Sequence, residues 1–147
     1  MTQEEKRRAK YPDTQTFHYY NANPKNRVGD DCVIRAICTA LNQSWEQTVR
    51  ELTEVGIKKG FVLNDKQTYS AYLKQKGWIK KQQPRKYDGT KYTGVEFCKK
   101  LQQSGNAPYM NIIAHIGGHH VVAIVNGKVN DIWNSTDGCI GNYWVQY

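Results

Sequence analysis

A chain of 147 residues with 39% hydrophobic content can bury one moderate core and leaves no room for a second, so one domain is expected. Its net charge of +8 and pI near 9.3 favour acidic or phosphate-bearing partners. No run approaches the roughly 18 apolar residues of a membrane span, the N-terminus lacks the apolar stretch of a secretory leader, and Cys32, Cys38, Cys98 and Cys139 form no CxxC pair; membrane, zinc, disulfide-framework and cofactor classes are therefore not expected, and a reduced cytoplasm is.

In chain order, residues 1–20 read as a basic N-terminal arm (Lys6, Arg7, Arg8, Lys10), either mobile or wrapped onto the domain by Phe17, Tyr19 and Tyr20, ahead of a single domain over 21–147. Apolar spacing predicts helices over 31–42, 45–58, 65–76 and 93–104. Ser44 with Gln47 and Thr93 with Glu96 read as capping boxes, and Gly77 and Gly105 as stops. Strands are predicted near 78–82, 108–116, 119–126, 128–134 and 139–146. Helices first and strands last indicate an α+β fold with an antiparallel sheet.

Cys32 falls in the first turn of the first of these helices, after Gly29, Asp30 and Asp31. The helix dipole favours a thiolate there, whereas the two aspartates oppose it, so an imidazole is the natural partner. Three of the four histidines, His115, His119 and His120, lie close together in the strand-rich half. Asn126-Gly127 is a strong two-residue hairpin signal, and pairing Val125 with Lys128 sets His120 opposite Trp133 and His119 opposite Asn134. Asp131 then shares a sheet face with His120, within reach for orienting an imidazole. Two dyads emerge, His120 with Asp131 and His119 with Asn134, either of which could serve a nucleophile at Cys32.

The runs Asp31-Cys32-Val33-Ile34-Arg35-Ala36-Ile37 and Gly118-His119-His120-Val121-Val122-Ala123, followed by Gly127, Asp131 and Trp133, resemble the papain-like cysteine peptidase superfamily, closest to small C39-peptidase-like and phage-encoded papain-like proteins. The resemblance spans about residues 26–144, and its specificity sits in those two motifs. It implies N-terminal helices, with the nucleophile at a helix start, packed on a C-terminal antiparallel sheet. It also implies a thiol hydrolase, a peptidase or amidase, with His120 as base, His119 as the alternate, and Asp131 or Asn134 orienting it. An oxyanion-hole amide would fall at Asn26, where such enzymes usually carry Gln, working with the Cys32 backbone N–H. The expected substrate is a protein or peptide, acidic ones included; a phage origin would place the protein in a host cytoplasm.

Structural alternatives accompany each residue. A lone Cys32 would ordinarily be a core cysteine, as Cys38, Cys98 and Cys139 are expected to be. His120 could be a satisfied core histidine, Asp131 a sheet-edge residue, Asn134 a turn former and Asn26 a loop residue. A transglutaminase-like acyl transferase would use the same residues as a hydrolase. A non-catalytic protein of the same fold, binding a host protein or nucleic acid, is the rival from another class. Its support is the basic run over 74–100, where Lys74, Lys76, Lys80, Lys81, Arg85, Lys86, Lys91, Lys99 and Lys100 alternate with Tyr72, Trp78, Tyr87 and Tyr92.

Overall fold

The structure, a computed structural model, describes residues 1–146. Its elements are α1 (Gln3–Lys10), β1 (Phe17–Tyr19), α2 (Cys32–Leu41), α3 (Trp45–Lys59), α4 (Lys66–Gln75), β2 (Ile79–Lys81), α5 (Gly94–Ser104), a 3₁₀ turn (Ala107–Tyr109), β3 (Ile112–Ile116), β4 (His120–Val125), β5 (Lys128–Asp131) and β6 (Ile140–Val145). The strands form one open sheet in the order β1-β5-β4-β3-β6-β2. The class is mixed α+β. Among the described residues no helix is long and apolar enough to cross a membrane.

The helix boundaries follow local chemistry. At α5, Thr93 accepts from the Glu96 N–H while Glu96 reaches back to the Thr93 N–H, a complete capping box. At α3 only half of the expected box forms: Ser44 accepts from Gln47 N, but the Gln47 amide turns to Gln43 and Glu51. Gly60 and Gly105 close their helices with left-handed backbone, which costs a glycine little.

One strand alters the expected sheet. β1 pairs in parallel with β5 (Phe17 with Val129, Tyr19 with Asp131), so the sheet is mixed rather than antiparallel. Its residues belong to the segment assigned on composition to the arm, yet Phe17 and Tyr19 are buried with Ile132 in a small cluster of their own. The arm is thus wrapped rather than loose over 17–19. Tyr20 stays exposed, and α1 is a helix that the arm's polar composition did not suggest.

Alternation along β3 divides the core. Ile113, with Val121, Ala123 and Trp144, packs on α2, α3 and α4, where Ile37, Leu52 and Leu73 are fully buried. Ile112, Ala114 and Ile116 face the other way, onto Phe97 and Cys98 of α5. Each such large aliphatic side chain stabilises the fold by about 1.5–3 kcal/mol. The start of α5 is seated on the 135–138 turn by hydrogen bonds from Gly94 N to Gly138 O and from Val95 N to Thr136 O. A Cβ at Gly94 would meet the Thr136 Cα at 2.9 Å, so the close approach requires glycine.

Candidate active site

Helix α2 begins at Cys32 without a side-chain cap, because the Asp31 carboxylate makes no hydrogen bond to the first-turn N–H groups. Asp31 turns instead into the protein. Its Oδ1 accepts from Arg35 Nε at 2.9 Å, and its Oδ2 accepts from Asn23 Nδ2 and Trp45 Nε1, both at 3.1 Å. The aspartate that the sequence set against a thiolate is therefore neutralised by Arg35, one helical turn away, and the N–H groups beside the sulfur are left available to a negative charge.

Across from Cys32, β4 begins with His120. The Asn126-Gly127 turn has positive φ at both residues, as a type I′ turn requires, and Val125 pairs with Lys128 as its chemistry predicts. Counting back along the hairpin sets His120 beside Trp133, and the two rings lie 5.2 Å apart. The Asp131 carboxylate reaches His120 diagonally, with Oδ2 at 2.6 Å from Nε2. Asp131 is buried and fully engaged: Oδ1 accepts from Arg35 at 3.1 Å and from Ile132 N at 2.8 Å, and Oδ2 from Ser135 Oγ at 2.8 Å. Arg35 thus joins the two aspartates, tying the helix that carries the thiol to the strand that carries the acid bonded to His120.

The electrostatics follow from these contacts. Burial pushes the Cys32 thiol up, but the His120 ring, the Val121 backbone N–H and the Arg35 charge more than offset it, and the thiol lies below its ordinary value. Burial likewise disfavours a charged His120; hydrogen bonds and charge from Asp131 and the thiolate override it and raise the imidazole to about 9. Asp131 is lowered despite its burial, through His120, Ile132 N–H and Arg35. The other buried thiols behave oppositely, desolvation raising Cys38 to about 11 and Cys98 to about 12. The two shifts reinforce each other, each group favouring the charged form of its partner.

Comparison of the chain with protein-family models, with curated protein sequences and with solved structures found no match.

Of the expected site residues, the fold gathers Cys32, His120 and Asp131. His119 is exposed in the turn between β3 and β4. Asn134 accepts from the Thr136 N–H and hydroxyl, shaping the 134–138 turn. Asn26 lies exposed in the loop before α2 with φ 54°, its own N–H bonded to Asn23 O, so it is shaped as a turn residue. Cys139, expected among the buried cysteines, is exposed.

Sequence reasoning missed the supports. Arg35 stood inside the Cys32 motif, but nothing local showed that it spans to Asp131. Ser135 looked like turn chemistry alone. A second buried array lies alongside: Tyr69 Oη is 2.7 Å from His115 Nε2, and His115 Nδ1 is 3.0 Å from Asn142 Oδ1. Trp144 packs edge-on against both rings. The available signal was a polar residue, His115, in a strand otherwise wholly apolar and buried. Among the described residues no cluster of His, Cys, Asp or Glu has the arrangement of a metal site.

Proposed function

We propose that the protein is a papain-like thiol hydrolase acting on amide or peptide bonds, with Cys32 as nucleophile, His120 as its proton partner and Asp131 as the residue that orients His120. The observation that carries this reading is the buried Asp131 carboxylate 2.6 Å from the His120 ring, the same ring that lowers the thiol of Cys32 on an uncapped helix start. The Cys32 thiolate adds to the substrate carbonyl carbon, and the developing oxyanion is received by first-turn N–H groups of α2. The C–N bond then breaks as imidazolium His120 delivers its proton to the departing amine, leaving a thioester on Cys32. Neutral His120 takes a proton from water, hydroxide adds to the thioester carbonyl, and the acid departs as the thiolate and imidazolium are restored. An amine arriving in place of water would make the same site a transferase.

The test uses a Cys139→Ser background, which removes the exposed competing thiol. Iodoacetamide labelling across pH should show Cys32 reacting fast at neutral pH, and a mixture of acetyl-peptidyl aminocoumarin amides should be cleaved, with cleavage lost in Cys32→Ala. A Cys32 as slow as Cys38 and Cys98, together with no cleavage, overturns the proposal.

A further inference from the structure

The basic run over 74–100 takes no part in the thiol site, and the fold does something particular with it. Several of its positive charges are already engaged: Lys76 pairs with Glu51, Lys86 pairs with Glu96, and Lys80 lies over the Trp144 ring. Arg85 and Lys100, by contrast, have only neutral partners among the described residues, the Gly89 carbonyl and the Tyr92 hydroxyl. Both stand at the rim of an open cavity of about 260 Å³, floored by Phe97, Leu101, Met110 and Ile112, to which Lys81 also contributes. Among the described residues no carboxylate lines it. The two nearby acids are committed elsewhere, Glu96 to its capping box and Lys86, Asp88 to Thr90. The floor belongs to the α5 side of the sheet, the face opposite the cluster against which Cys32 packs.

We propose that this cavity docks an acidic segment of a partner protein, taking one apolar side chain onto Phe97, Leu101 and Met110 while Arg85 and Lys100 pair with flanking carboxylates. The charge complementarity is that of a rim whose described residues bring cations and no acid, around a floor too apolar to hold a carboxylate. The same residues are poorly arranged for nucleic acid. Tyr92 and Phe97 meet edge-on at 73°, and Phe97 and Tyr143 at 64°, so the rings pack on one another rather than forming parallel shelves for bases. The floor is largely aliphatic, and among the described residues at the cavity Ser104 is the lone uncharged hydrogen-bonding side chain besides the two tyrosines. Because the cavity and Cys32 lie on opposite faces, docking leaves the thiol accessible, and the inference stands independently of the proposed hydrolase activity.

The experiment is fluorescence anisotropy on the full chain with fluorescein-labelled peptides Asp-Glu-Xaa-Glu-Asp, where Xaa is Phe, Leu or Ala. The reversed-charge peptide Lys-Arg-Phe-Arg-Lys and an oligothymidine strand serve as competitors. The Phe or Leu peptide is expected to bind at least about tenfold tighter than the Ala peptide, with the reversed-charge peptide not competing. The double variant R85E/K100E is expected to lose at least about tenfold in affinity, and S104W, which fills the mouth of the cavity from the exposed end of α5, to lose a similar amount. Circular dichroism checks that both variants keep the fold, and a variant that fails to fold leaves the other as the test. No binding of the acidic Phe and Leu peptides at millimolar protein, binding unchanged in the folded variants, or equal binding of acidic and reversed-charge peptides would each overturn the proposal. Oligothymidine that outcompetes the acidic peptide and is itself lost in R85E/K100E would overturn it in favour of nucleic acid.

Discussion

His120 and His115 sit on neighbouring strands, each ring hydrogen-bonded by polar partners, yet their pKa values are shifted in opposite directions. His120 faces a carboxylate and a thiol and is raised to about 9; His115 faces a phenol and an amide and is lowered. Desolvation acts on both in the same direction, so the difference comes from the partners. At His115, burial and the positive charges of Lys66 and Lys80 outweigh what Asn142 returns, and Nδ1–H donating to Asn142 Oδ1 leaves Nε2 to accept from Tyr69. The lesson is that burial alone disfavours a charged imidazole here, and only an anion held beside the ring reverses the direction; Arg35, Ser135 and Ile132 N–H hold that anion.

The comparison breaks most severely at Asp131. Asp131→Asn leaves Arg35 buried with one carboxylate fewer and His120 without its anion, and is expected to cost about 3–5 kcal/mol, read as a lower urea midpoint. It should also bring Cys32 labelling at neutral pH down toward that of an ordinary thiol. His120→Ala removes the cation itself, and labelling of Cys32 at pH 7 should fall by about ten- to a hundredfold while Cys38 and Cys98 stay slow. An unchanged rate would mean that the helix start alone sustains the thiolate. Tyr69→Phe strands His115 Nε2 without its donor at an expected cost of about 1–3 kcal/mol, but should leave the Cys32 rate within about twofold, which separates the neutral array from the ionic one.

A pH series sharpens the same contrast. His120 has a folded pKa raised to about 9 from 6.5, so its charged ring contributes stability that is fully present below about pH 6.5 and is lost as pH rises through about 9. The urea-midpoint gap between wild type and His120→Ala should narrow across that window. His115, lowered in the fold, contributes with the opposite sign: the neutral ring is destabilised relative to the unfolded chain as pH falls below 6.5. The smallest effect is expected from Ser135→Ala, about 1 kcal/mol, with a modest slowing of Cys32 as one donor to Asp131 is lost.

Much of this architecture was legible because it is local. The four helices from α2 to α5 carried apolar periods in their own sequence, with capping residues before α3 and α5 and glycine stops after α4 and α5, and Asn126-Gly127 fixed the β4–β5 register by backbone geometry alone. That register placed Asp131 beside His120 before any contact was known. What escaped depends on residues far apart in the chain. β1 is three residues long and finds its partner in β5; no short-range signal announces a parallel pairing of that span. Cys139 looked like its buried counterparts because exposure is decided by where the turn before β6 lies, not by cysteine's own preference. Asn26 illustrates the converse: a position aligned by resemblance whose left-handed backbone and exposed loop are those of an ordinary turn.

The hydrogen bond from the Tyr20 amide to the Asp131 carbonyl gives the edge of the sheet a measurable clock. Bringing residues 17–20 to β5 closes a very long stretch of chain, and an edge strand secured by so few ladder contacts is the kind of unit that opens before the rest of the fold. Exchange of that single amide therefore times the opening of β1 away from the strand that carries the Asp131 carboxylate.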